Sequence, residues 1–213
     1  MLLNEIYPYV MPELPGCDTH VVDQWSVRGW RELCRRSHIY KYDLDPVAIK
    51  EDIAEYELYG QPDCTEIITV SQVMRGLHPF RERYTLGVRS SWEPFTKRTT
   101  FRLVNTPTAD ASEDITITVE LQPTLTATEV DDELFNHYME AVRCYVLFNL
   151  KRQTRKAYTD AQGSAINYRE WQRRLSEARI DAEHDNLPDP LMARPPTPFI
   201  VTSGNASRRS TFE

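Results

Sequence analysis

Glycine is scarce in this chain, seven in 213 residues, and none falls in a phosphate-cradling run. No serine sits in a GxSxG elbow. The four cysteines, Cys17, Cys34, Cys64 and Cys144, match no CxxC or CxxH ligand spacing. An even count permits two disulfides, but a chain of this size needs no staples. Free, buried or half-buried thiols are the expectation, and they suit a reducing compartment. The five histidines, His20, His38, His78, His137 and His184, form no HxxxH pair, so no metal site is expected from them. No apolar run approaches the roughly 20 residues that span a bilayer. The opening Met1-Leu-Leu-Asn-Glu-Ile-Tyr-Pro8 lacks a basic start and a small-residue cleavage site, so no secretory signal is expected. A basic excess is also missing. Lys and Arg number 25 against 32 Asp and Glu, a net charge of -7, which argues against a general nucleic-acid binder. No nucleophile, base and orienting group can be drawn together. The chain is therefore expected to be non-enzymatic and to need no cofactor.

What is present begins with a well-marked helix start. Pro12-Glu-Leu-Pro-Gly-Cys-Asp18 is a turn, and Asp18 or Thr19 can cap the helix that follows, over about 19–38. Val22, Trp25, Gly29 and Leu33 recur at helical spacing, with Val21 and Trp30 alongside. Arg28, Arg31, Arg35 and Arg36 fall on the remaining surface. Before it, residues 1–11 have the makings of a short helical turn packed through Ile6, Tyr7 and Val10.

From Tyr40 the period changes to two. Tyr40, Tyr42 and Leu44 alternate with polar residues, and Pro46 ends that strand or confines it to an edge. Glu55–Tyr59 alternates again before the turn at Gly60. Ile67–Val73 is β-branched and predicts a more buried strand. Thr99–Val104 and Ile115–Leu121 are the clearest strands. In the latter, Ile115, Ile117, Val119 and Leu121 share one face. Residues 81–98 carry no pattern that assigns them.

After Pro123 the helical period returns. Asp131, Asp132 and Glu133 suit the positive end of a helix, which explains them without a cation. Leu134, Tyr138, Ala141 with Val142, Tyr145 and Phe148 form its stripe to about Leu150. Gly163-Ser164 opens a further helix with Tyr168, Trp171, Leu175, Ala178 and Ala182 on one face. These aromatic stripes are expected to be core. From Asn186 the chain turns Pro-rich and polar, with too little apolar surface to fold by itself. The expected fold is α+β: an antiparallel helix bundle with an inserted antiparallel β region and an extended C-terminal tail. It divides into residues 1–39 (bundle), 40–124 (β insert), 125–185 (bundle) and 186–213 (tail).

Taken in order, these motifs resemble the head-to-tail adaptor (connector) proteins of tailed bacteriophages. They are the early Pro-Glu-Leu-Pro-Gly-Cys turn, Glu32-Leu-Cys-Arg, Val119-Glu-Leu-Gln-Pro-Thr124, Leu134-Phe-Asn-His-Tyr-Met-Glu-Ala141, and Tyr168 with Trp171. The match runs through roughly residues 1–184. Residues 81–98 and 151–163 depart from the usual pattern. The resemblance implies a virion structural protein in the neck between capsid and tail, made in the bacterial host cytoplasm. Such adaptors form a homo-oligomeric ring, usually of twelve subunits, beneath the portal protein. They extend the DNA channel and offer a platform to a downstream tail protein such as a nozzle, stopper or terminator. Their C-terminal segment clasps the portal. Here that role would fall on Leu187, Leu191, Met192, Arg194, Phe199, Ile200, Arg208 and Arg209. The 27 residues from Leu187 onward reach roughly 90 Å when extended at about 3.3 Å each. The basic residues Lys151, Arg152, Arg155 and Lys156 have three readings: contact with packaged DNA in the channel, a solvated loop, or salt bridges to acids of a neighbouring subunit. A neck stopper or tail-completion protein is the nearest alternative. A small non-enzymatic protein-binding module is the alternative from another class.

Overall fold

The computed structural model describes residues 1–58, 60–76, 78–80, 84–90, 97–110 and 113–184, with backbone only for 86–90 and 97–99. The proposed tail, 186–213, lies outside the described residues. The fold is mixed α+β, with two antiparallel sheets set in chain order between helices.

The chain opens with a 3-10 turn at Leu3–Ile6, helix α1 at Tyr7–Val10 and a second 3-10 turn at Met11–Glu13. Prolines stand at the start of α1 and of the second turn, where a missing N–H loses no bond. Ile6, Val10 and Leu14 are buried, while Tyr7 is half-buried. Helix α2 spans Thr19–Ser37. Asp18 is its cap and accepts the His20 N–H at 3.0 Å. It ends at His38, which takes the left-handed conformation at φ 58°. Val22, Gly29, Trp30 and Leu33 are buried as the spacing predicts, and Trp25 is half-buried. Gly29 permits a close helix crossing: a Cβ there would lie 2.9 Å from Val142 Cγ1 and 3.1 Å from the Tyr145 ring.

Strand β1 (Lys41–Asp43) is the edge of a four-stranded sheet in the order β1-β7-β3-β4, with β3 at Thr65–Arg75, β4 at His78–Pro79 and β7 at Ile115–Pro123. Strands β2 (Glu55–Glu57), β6 (Lys97–Leu103) and β5 (Tyr84–Ser90) form the second sheet, in the order β2-β6-β5. Strand β5 lies in the stretch that carried no sequence pattern. Ile115, Ile117, Val119 and Leu121 are all fully buried. Strand β3 differs from its expectation. It pairs along β7 with register shifts at Ile67/Thr69 and Val70/Gln72, and Val73 alone among its residues is buried. The shifts break strict alternation, so Ile67 and Val70 lean on the β core while Ile68 leans on the helical core.

Helices α3 (Asp132–Lys151) and α4 (Ala161–His184) complete the chain. Asp131 caps α3 by accepting from the N–H groups of Glu133 and Leu134. The buried face of α3 is wider than one stripe. It takes in Phe135, Cys144, Val146, Leu147 and Leu150 besides Leu134, Ala141 and Val142, because α3 packs on both α2 and α4. Of the expected core aromatics, Tyr138 and Tyr145 are half-buried against the core, and Tyr168 is exposed, its ring 4.9 Å from that of Phe148. Trp171, Leu175, Ala178 and Ala182 are buried. All four thiols are free. Cys17, Cys34 and Cys144 are buried, but Cys64 is exposed. Burial pushes the Cys34 thiol up to about 12 and that of Cys144 to about 11, so neither is a ready nucleophile.

Candidate functional site

The four basic residues singled out near the end of α3 do not act as one group. Lys151 is the last residue of α3 and is buried. Its Nζ donates to Glu13 at 2.5 Å, and its carbonyl accepts the Asp160 N–H. It closes the fold and is not displayed. Arg152 lies with its guanidinium 5.0 Å from the centre of the Phe148 ring. Arg155, at φ 63°, and Lys156 are exposed on the connector. The tail residues Leu187, Leu191, Met192, Arg194, Phe199, Ile200, Arg208 and Arg209 lie outside the described residues.

A second set of basic residues lies on α2. Positions 28, 31 and 35 fall at i, i+3 and i+7, one face of a helix. With Glu32, Gln122 and Tyr145 they line a hollow of about 200 Å³. Each arginine is held differently. Arg28 stands 5.0 Å over the Trp25 ring. Arg31 donates to the Pro123 carbonyl and to Glu66, both at 2.6 Å, while Gln122 donates to the same Glu66 oxygen. Arg35 and Arg36 share Glu32, each at 2.6 Å. The floor is aromatic. The Tyr145 ring sits 6.3 Å from Trp25 and 5.0 Å from Trp171. Burial pushes the Tyr145 phenol up, and Glu32 adds to this. Arg28, Arg152 and Arg36 pull it back down, which places all three within electrostatic reach of one ring.

Three α2 arginines thus pair with two glutamates, and Arg28 and Arg152, the latter just beyond α3, add their charges. The surplus is positive and exposed, and it presents forked donors. Such a surface takes oxyanions, either carboxylate or phosphate. The sequence placed these arginines only on the outer surface. Their one-sided spacing was the available signal, and what it lacked was the approach of Tyr145 and Gln122 from distant segments.

Elsewhere, His38 Nδ1 lies 2.5 Å from Glu120, linking the end of α2 to the four-stranded sheet. Among the described residues no group of three or more His, Cys, Asp and Glu is placed to hold a metal ion, and no helix is long and apolar enough to cross a membrane. No family model matches the chain, and no curated protein does so.

Proposed function

We propose that this chain is a ring-forming head-to-tail adaptor of a tailed bacteriophage, joining the portal to the tail and extending the DNA channel. One observation carries it. The motifs that resemble the adaptors fall in the expected order on the elements such a protein needs: helices from both ends of the chain around one core, strands between them, and a Pro-rich C-terminal segment. In this reading the helices form an antiparallel bundle, and residues 186–213 extend from it to clasp the portal. Neighbouring copies meet head to tail, which closes into a ring if the rotation is right. The arginine face of α2 is suited to such a contact. Residues 40–124 carry more Asp and Glu than Lys and Arg, so one copy's β region complements the next copy's arginines. The surface is then inter-subunit first, and contact with packaged DNA is secondary.

The test is electron microscopy of the purified full chain, alone and mixed with the portal encoded in the same genome. The expected result is monomers or loose oligomers alone and a ring, of about twelve copies by analogy with the adaptors, seated on the portal. A chain that stays monomeric and unbound beside intact portal overturns the proposal.

A further inference from the structure

A second hollow, of about 420 Å³, lies between the edge strand β1 and the first turns of α3. Tyr40, Tyr42, Leu134 and Tyr138 line it together with Lys41, His137 and the carboxylates of Asp131 and Glu133. Three tyrosines and a leucine around a shallow groove make a surface for an extended, apolar, proline-bearing strand. Aromatic-lined grooves recognise polyproline II because that backbone is already ordered and its carbonyls are free to accept hydrogen bonds. The end of α4 is tied to the same place. Lys41 Nζ donates to the Ala182 carbonyl at 2.6 Å, and the Tyr138 hydroxyl donates to Asp181 at 3.0 Å. The chain therefore leaves α4, at His184, beside the groove. What it carries next is Leu187-Pro-Asp-Pro-Leu-Met-Ala-Arg-Pro-Pro-Thr-Pro198.

We propose that this groove is a polyproline-type docking site whose occupant is residues 187–198 of the same chain. Proximity favours the chain's own segment over any other. A short covalent link gives an effective concentration in the millimolar range, well above that of free protein. Reach is sufficient, since Arg194 can lie up to roughly 30 Å from His184 at about 3.1 Å per residue. Charge agrees. Arg194 is the sole basic residue of the segment, and the groove offers the two carboxylates of Asp131 and Glu133 against one ammonium, Lys41, which donates to the Ala182 carbonyl. Leu191 and Met192 supply apolar side chains for the tyrosine walls. The docked segment is withheld from other partners, so a protein that competes for it must first lift it from the groove. This inference does not depend on the adaptor assignment.

The experiment is site-specific photo-cross-linking of the full chain. Benzoylphenylalanine replaces Tyr42 in one sample and the exposed Glu133 in another. Light and heavy isotope forms are mixed before irradiation, and circular dichroism checks that each variant is folded. The expected result is cross-links from both positions into residues 187–198, within single copies, falling several-fold when Leu191→Asp and Met192→Asp are added. Cross-links only between light and heavy copies overturn the assignment of the occupant to the same chain. The absence of cross-links into the segment from either position overturns the docking site itself.

Discussion

Every helix of the helical region contributes to one core: Ile6 and Val10 from the N-terminal turns, Trp30 and Leu33 from α2, Leu147 and Leu150 from α3, Trp171 and Leu175 from α4. In the four-stranded sheet of the β region a single strand dominates. Ile115, Ile117, Val119 and Leu121 of β7 are fully buried, and the neighbouring β3 adds only Val73. The odd-numbered face of β7 is dry and the even-numbered face is polar. Glu120 meets His38, and Gln122 meets Glu66 beside Arg31. The two cores are thus separated by a layer of hydrogen-bonded charges, with Tyr40 half-buried against both. The comparison teaches that β7 divides its labour by parity, stabilising the β region through one face and specifying its seat on the helices through the other.

The largest expected effect tests the difference between the cores. Trp30→Ala and Trp171→Ala each empty a fully enclosed site and should cost about 3–5 kcal/mol. Ile67→Ala and Val70→Ala remove half-buried groups from β3 and should cost about 1–2 kcal/mol. Urea unfolding midpoints measure both. Equal losses would show that β3 is as tightly packed as the helices, and the contrast would fail.

The next effect concerns the ion pair that locks the N-terminal turns to α3. Glu13 accepts from Lys151 and from Arg143, each at 2.5 Å. Burial alone raises the Glu13 carboxyl, but the bonds and charges of Lys151 and Arg143 outweigh it, and the net shift is downward from 4.5. A carboxyl lowered on folding adds stability above its unfolded value and loses it as pH falls through the folded one. Glu13→Gln leaves the Lys151 ammonium buried without its counter-charge. It should cost about 1–3 kcal/mol at pH 7, less than a fully enclosed pair because the Glu13 side chain is 33% exposed. The gap between the two proteins should narrow as pH drops below 4.5. A gap that is constant down to pH 3 would mean that the pair adds nothing to stability.

Local signals were legible in the sequence, and long-range ones were not. The cap at Asp18, the stripe of α2 and the buried face of β7 follow from periodicity within a few residues. Lys151 looked like one of four solvated bases, because its partner Glu13 is far away in sequence. Tyr168 fits the helical stripe yet is exposed, with a ring contact to Phe148 of α3. Strand β3 looked buried because Ile, Val and Thr fill it, but two register shifts divide its side chains between two cores. The arginine hollow was the least legible, since it needs α2, α3 and β7 at once.

The smallest expected effect lies at the seam between the two regions. The Arg31 fork holds the Pro123 carbonyl and Glu66 together, at 2.6 Å each, with side-chain exposures of 21% for Arg31 and 24% for Glu66. A lysine ammonium is a point donor on a flexible stem and does not reproduce the planar fork. Arg31→Lys should therefore cost only about 0.5–1 kcal/mol, since the charge is kept and the site is partly wet. Its effect should be local. Amide hydrogen exchange should quicken at Thr65–Ile67 and at Gln122 and Thr124, while amides of α3 and α4 keep their protection. The Trp171→Ala variant should show the opposite pattern, with the helices exposed first. If Arg31→Lys instead loosens the helices as much as the strands, the seam belongs to the helical core, and the polar face of β7 does more than seat one region on the other.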